Sequence, residues 1–181
     1  MKKVIAAINM TLDGFCDHTA VDPDDQIHEH YTDLLKSAGV FLYGRITYQL
    51  MEYWRPFVEH PSGNQSHDDF AQIMDRVPKI VFSRTLRETG WQSAKIADKS
   101  LKETIRELKQ QPGEDIFIGS PGLIVEATNL DLVDEYQLCV HPVIAGGGLP
   151  LFKADDGRRM LRLVNTKVFD SGAVILYYEQ A

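Results

Sequence analysis

Apolar residues along this chain gather into short uninterrupted runs separated by amphipathic stretches. Five runs, Val4–Ile8, Val40–Tyr43, Lys79–Phe82, Asp115–Ile118 and Tyr136–Ile144, have the length and composition of strands buried on both faces. Between them the spacing of apolar residues becomes helical. His28–Ser37 places Tyr31, Leu34 and Leu35 on one face and closes at Gly39. Thr47–Tyr53 predicts a second helix, stopped by Pro56. Leu101, Ile105 and Leu108 form an i, i+4, i+7 stripe behind Ser100, a suitable cap, and Pro121–Thr128 predicts a fourth helix. After Leu132 the pattern turns to strands alone: Tyr136–Ile144, Leu161–Phe169 and Val174–Glu179, the last two joined by the hairpin signal Asp170-Ser171-Gly172. Strand–helix units followed by an antiparallel finish predict one α/β domain over residues 1–181. Its mixed, mostly parallel central sheet carries helices on both faces and an antiparallel C-terminal hairpin. Glu59–Asp69, rich in His, Ser, Gly, Asn and Asp, is expected to be a mobile surface loop.

Composition narrows the function classes. A chain of 181 residues buries enough surface to fold without a disulfide or a metal. Net charge is −7, and the Lys and Arg residues are scattered, which argues against nucleic acid as a partner because phosphate backbones select clustered cations. Cys16 and Cys139 lack ligand spacing and read as free thiols of a reducing, cytoplasmic compartment. His60, His67, Asp68 and Asp69 have no spacing that would organise a metal site, and no metal is expected. No apolar run reaches the roughly 18–20 residues of a membrane helix. Met1-Lys2-Lys3 followed by Val4–Ile8 reads as a first strand, because the apolar stretch is too short for a signal sequence.

Three strand ends carry groups suited to an anion, and in open α/β sheets ligands bind at the carboxyl ends of the strands. Gly44 allows a tight exit from the second strand, Arg45 supplies a guanidinium, and Thr47 stands at a helix start, where anions are favoured. Ser83 and Arg84 follow the third strand and pair a hydroxyl with a guanidinium, a combination that suits a terminal phosphate. Gly119-Ser120-Pro121-Gly122-Leu123 follows the fourth. Gly119 permits close approach to backbone, Ser120 is positioned to cap, and Pro121 is preorganised for a first helical turn. The sequence is not the GxGxxG fingerprint, so a Rossmann site has little support.

Taken in order from Lys3 to Tyr178, these segments resemble the dihydrofolate reductase-like superfamily. The closest resemblance is to the C-terminal reductase domain of the bifunctional riboflavin-biosynthesis deaminase/reductase. The pieces that carry it are Met10–Phe15, Gly44–Tyr48, Phe82–Arg84, Ile118–Leu123, Leu132–Glu135 and Pro142–Phe152. The resemblance implies NADPH lying extended along the sheet's edge. Gly44, Arg45 and Thr47 would meet the pyrophosphate and adenosine side, and Ser83 and Arg84 the 2′-phosphate. Gly119, Ser120, Gly122 and Leu123 would close over the pyrophosphate and nicotinamide ribose. Ala7, Asp13 and Gly14 would border the nicotinamide and a small heterocyclic substrate, pteridine- or pyrimidine-like.

The resemblance also implies a homodimer, with which the apolar Tyr136–Ile144 strand is consistent. Dihydrofolate reductases proper have a carboxylate on the first helix, and here that place falls at His28, a residue able to donate a proton near neutral pH. The expected catalytic residues are therefore Asp13, as a substrate-orienting group, and His28. Two further readings stay open: the riboflavin-pathway 5-amino-6-(5-phosphoribosylamino)uracil reductase itself, and an NADPH-binding homodimer without turnover.

Overall fold

The computed structural model describes residues 2–153 and 157–181. The chain runs β1 (Val4–Thr11), α1 (Asp25–Lys36), β2 (Ala38–Gly44), α2 (Arg45–Met51), a 3-10 turn (Glu52–Trp54), α3 (Pro56–Glu59) and α4 (Gln65–Arg76). It continues through β3 (Lys79–Phe82), β4 (Ala94–Ile96), α5 (Leu101–Gln110), β5 (Asp115–Ile118), α6 (Pro121–Asn129), β6 (Glu135–His141), β7 (Leu161–Val168) and β8 (Val174–Gln180). All eight strands join one sheet in the order β4-β3-β2-β5-β1-β6-β8-β7. The first six in that order pair in parallel, and β8 pairs antiparallel with both β6 and β7. The expected mixed, mostly parallel sheet with an antiparallel C-terminal hairpin is therefore present.

Alternation along the strands builds two cores. Val4, Ala6 and Ile8 face α5 and α6, packing with Leu101, Ile105 and Ile124. Ile5 and Ala7 point the other way, with Phe41, Tyr43 and Phe117, toward Leu34 and Leu35 of α1 and Phe70 and Met74 of α4. Helices therefore cover both faces. Ser100 caps α5 in a reciprocal box, accepting from the Glu103 N–H at 3.3 Å while Glu103 accepts from the Ser100 N–H at 3.1 Å. At the start of β3, beside the edge strand β4, Lys79 is buried, and its ammonium donates to the carbonyls of Met74 and Val77 and to the Ser93 hydroxyl. It also lies 4.5 Å from the centre of the Trp91 ring. These acceptors lie where the C-terminal end of α4 meets β3 and β4.

Several boundaries differ from expectation. The polar run Glu59–Asp69 is a loop only as far as Asn64. From Gln65 it is helix, because the Asn64 side chain accepts from the His67 N–H and Phe70, Met74 and Val77 form an apolar stripe into the core. The helix expected from Thr47 begins at Arg45, so Thr47 sits inside its first turn and does not cap it. The Tyr136–Ile144 strand stops at His141, where Pro142 cannot supply a ladder donor. That strand, β6, lies inside the sheet between β1 and β8, so it offers no open edge to a second copy. The open edge on this side is β7, which exposes Leu163, Val164 and Val168. Among the described residues no helix is long and apolar enough to cross a membrane.

Candidate active site

Odd-numbered positions of the central strands share the face covered by α1 and α4, and toward the carboxyl ends of those strands the packing opens into a cavity of about 310 Å³. β1 contributes Ala7 and Asn9, β2 contributes Phe41 and Tyr43, and the turn into α6 contributes Gly119 and Pro121. Across from the sheet stand His28, Tyr31 and Leu35 of α1, Thr47, Leu50 and Met51 of α2, Trp54, and Phe70 and Met74 of α4. The loop after β1 closes one side with Cys16, Asp17, His18, Val21 and Pro23.

The walls are chiefly aromatic and aliphatic. Phe41 stacks on Tyr43 with ring centres 5.5 Å apart, and Trp54 packs on Phe70 at 4.8 Å. His28 contacts Trp54 at 5.5 Å and His67 at 4.6 Å. Burial pushes the Tyr31 and Tyr43 hydroxyls well above the ordinary phenol range and the Cys16 thiol up to about 11, so all three stay protonated at neutral pH.

Two polar side chains of this wall have hydrogen-bonding capacity to spare. The His28 Nδ1 lies 3.0 Å from the Asp24 carbonyl of its own helix, a contact that places the proton on Nδ1 and leaves Nε2 as an acceptor. Burial, opposed by that hydrogen bond, holds the His28 pKa below the usual histidine value. The Asn9 carbonyl oxygen lies 3.0 Å from Nε2 of His141, which donates to it in the matching tautomer. Among the described residues the Asn9 amide nitrogen and His28 Nε2 have no hydrogen-bond partner.

Beside the cavity the starts of α2 and α6 are tied together. The Gly44 N–H donates to the Ser120 hydroxyl at 2.8 Å. Ser120 is the N-cap residue of α6, but its side chain makes no capping bond, so the first-turn amides of Gly122 and Leu123 are left for another acceptor. A Cβ built on Gly122 would meet nothing within 4 Å, which places open space outside this turn. Gly119 has a different role: a Cβ there would come within 2.9 Å of the Tyr43 ring, so its close approach is to protein. Arg45 is exposed and holds Gln49 Oε1 at 2.9 Å.

Of the expected site residues, the fold brings Ala7, His28, Thr47 and Gly119 to the cavity wall, with Gly44, Ser120, Gly122 and Leu123 next to it. Asp13 and Gly14 do not line it. The exposed Asp13 carboxylate accepts from the Thr11 hydroxyl at 2.6 Å and from the amides of Ala145 and Gly146 at 3.1 and 2.8 Å. The Thr11 hydroxyl and these amides hold its pKa down to about 2, so it carries no proton to give near neutral pH. Its geometry is that of a clasp joining the turn after β1 to the glycine run Gly146–Gly148. Gly14, with φ +89°, makes that turn possible. Ser83 and Arg84 lie at the end of β3, outside the cavity. The Ser83 hydroxyl accepts from the N–H groups of Thr85 and Leu86, and Arg84 is exposed.

Sequence reasoning passed over Asn9, Tyr31, Trp54 and Phe70. Asn9 could have been found as the polar residue sharing a strand face with Ala7. Phe70 needed the recognition of α4. Tyr31 is legible only as part of the apolar face of its helix and nothing local marks Trp54, because tertiary packing alone brings α1 and the 3-10 turn together. No group of three or more His, Cys, Asp or Glu among the described residues is placed to hold a metal, and Cys16 and Cys139 are both free.

The family described as the RibD C-terminal domain matches residues 2–175. The Bacillus subtilis (strain 168) protein YyaP, whose role is uncharacterized, is 36% identical over 185 residues, covering 98% of this chain and 94% of its own. Among solved structures, a pyrimidine reductase-like protein from Corynebacterium diphtheriae superposes with a TM-score of 0.68 at 16% identity, covering 99% of this chain and 92% of that one. The Thermotoga maritima diaminohydroxyphosphoribosylaminopyrimidine deaminase/5-amino-6-(5-phosphoribosylamino)uracil reductase superposes with a TM-score of 0.67 at 15% identity, covering 99% of this chain and 57% of that one. At these identities the two structures speak for a shared fold, the dihydrofolate reductase-like one.

Proposed function

The chain belongs to the RibD C-terminal domain family, and from that membership and the cavity we propose that it is a cytoplasmic NADPH-dependent reductase of a small pteridine- or pyrimidine-like heterocycle. The observation that carries this reading is the uncapped first turn of α6 beside an aromatic cavity at the carboxyl ends of the central strands. Two free amides at a helix start, with open space beyond Gly122 and the Arg45 guanidinium on the neighbouring helix start, suit a dinucleotide diphosphate. Ser83 and Arg84 are assigned to the adenosine 2′-phosphate, with the Arg84 guanidinium supplying the charge.

When bound, the nicotinamide supplies the hydride. The rest falls to this chain. Ala7 has a side chain small enough to let a flat ring lie against β1, and Gly119 keeps the Tyr43 ring seated in the wall. Trp54, Tyr31 and Phe41 exclude water from the reacting face. Asn9 orients the substrate through its amide, and His28 is the group placed to move a proton through Nε2. Asp13 acts at one remove, by fixing the loop at Ala145 and Gly146.

A homodimer belongs to the same reading. It is supported by β7, an open edge strand whose Leu163, Val164 and Val168 are exposed although apolar. The deciding experiment is titration with NADPH, followed by a screen of heterocycles for loss of its absorbance. Failure of NADPH to bind, or binding without oxidation by any ring, would overturn the catalytic assignment. Sedimentation at micromolar concentration checks the dimer, and a monomer would remove it.

A further inference from the structure

The cavity's lining says what kind of ring it can accept. Among the described residues no Lys or Arg lines it. The carboxylate in its wall, Asp17, is kept ionised by hydrogen bonds from the Thr19 amide and hydroxyl. Half-buried His28 has its pKa held below the ordinary histidine value by desolvation, and its Nδ1 proton is committed to the Asp24 carbonyl. Arg45 does not line the cavity and holds Gln49 at the helix surface. A phosphate brought deep into this space would meet chiefly apolar walls and an ionised carboxylate, and the lining imidazole nearest that carboxylate, His18, already faces it at 3.8 Å. An unpaired buried charge is among the most costly arrangements a protein can hold.

What the lining does offer is flat apolar surface on several sides, from Trp54, Tyr31, Phe41 and Tyr43, closed by Leu35 and Met51. Set into it are an amide donor on Asn9 and an acceptor on His28, both without protein partners among the described residues. Such a wall selects a planar ring with a carbonyl for Asn9 and an N–H for His28. We infer that the substrate is an uncharged, planar, lactam-containing heterocycle that carries no phosphate. This rests on the reductase reading and departs from the phosphoribosyl substrate named for the Thermotoga maritima enzyme.

The test compares matched ligands differing by one phosphate: 6-hydroxymethylpterin with its phosphate ester, and riboflavin with riboflavin 5′-phosphate. Dissociation constants are measured by ligand fluorescence in excess NADP⁺, so that the α6 amides are already occupied. The expected result is that in at least one pair the unphosphorylated member binds at least about tenfold more tightly, a difference of ~1.4 kcal/mol. Trp54→Ala should weaken that member by a similar factor. Met51→Arg, which adds a cation to the wall, should bring the two members of the pair within about threefold of each other. Equal or tighter binding of the phosphorylated member to the wild type overturns the inference, and so does absence of binding by both rings. A separate titration with NADPH keeps the two readings apart. If NADPH fails to bind while the neutral ring keeps its preference, it is the reductase assignment that falls.

Discussion

The Gly44 amide and the Ser120 hydroxyl meet at 2.8 Å, joining the first turns of two helices whose contact residues lie 76 positions apart. Because the serine serves Gly44, the start of α6 keeps its own donors unspent. Gly122 stands in that turn, and a Cβ added to it would find nothing within 4 Å, so a larger side chain there disturbs no protein contact. Gly122→Val should therefore leave the thermal unfolding midpoint close to that of the wild type while abolishing NADPH binding. Undiminished NADPH affinity in the folded variant would move the diphosphate away from α6.

Cofactor preference tests the end of β3. A charge-assisted hydrogen bond from Arg84 to a 2′-phosphate contributes about 1.5–3 kcal/mol, so NADPH should bind roughly 10–100-fold more tightly than NADH. Arg84 is exposed, and added salt should erode the preference. Arg84→Ala should remove most of it by weakening NADPH alone. Paired dissociation constants at one ionic strength decide the matter. A preference that survives the substitution would shift attention to Arg45.

Proton supply tests α1. His28→Ala should lower turnover by ~10²–10⁴-fold with little effect on NADPH affinity. Burial holds the His28 pKa below the ordinary histidine value, so its protonated form gains population only as pH falls beneath that range. If His28 donates the proton, turnover should climb toward acidic pH, with the midpoint below the ordinary value of 6.5, and His28→Ala should flatten that limb. Asp13→Asn, by contrast, should leave the shape of the profile unchanged and act on KM through the Gly146 loop. An unaltered pH profile in the His28 variant would assign the proton to bound water.

Stability should carry the signature of a buried ammonium. Burial lowers the Lys79 pKa from 10.5 to about 8, against the pull of Asp75. Between those two values the unfolded chain holds the proton and the folded chain has released it, so the unfolding free energy rises with pH through that window. The rise should approach ~3.5 kcal/mol at most over the whole span from about 8 to 10.5, at about 1.4 kcal/mol per pKa unit. Urea unfolding at pH 8 and pH 10.5 measures it. The same rise in Lys79→Met would show that other groups are responsible.

The residues that declared themselves in the sequence are those whose neighbours in the chain are also their neighbours in space. Val40–Tyr43 and Asp115–Ile118 read as buried strands because burial on both faces leaves no room for polar positions. The junctions at Gly44 and at Ser120–Gly122 read as strand exits and helix starts, and the fold has them there, because such junctions are local events. Gln65–Arg76 was hidden by the polar residues of its first turn, though Phe70, Met74 and Val77 carried its core stripe. Ala94–Ile96 is a three-residue edge strand, too short to show a period. Asp13 is singled out through the family resemblance, and its hydrogen bonds from the amides of Ala145 and Gly146, more than a hundred residues away, are written in no local pattern. Trp54 and Tyr31 became cavity walls only through the docking of helices against the sheet, which no local pattern records.

The place of β5 in the sheet bears on how the chain is made. It lies between β1 and β2, and both of its neighbours are synthesised before it. β1 also pairs with β6, which emerges later still, so the first strand leaves the ribosome with no native sheet partner until Asp115–Ile118 follows. β2 and β3 can pair early, but the cavity, which needs Ala7, Tyr43 and Gly119 side by side, cannot. Its formation waits on contacts of long sequence separation, the slowest kind to close. A nascent chain of this protein therefore holds an apolar strand without a sheet partner while more than a hundred further residues are added, and a chaperone that recognises short extended apolar segments would find Val4–Ile8 waiting.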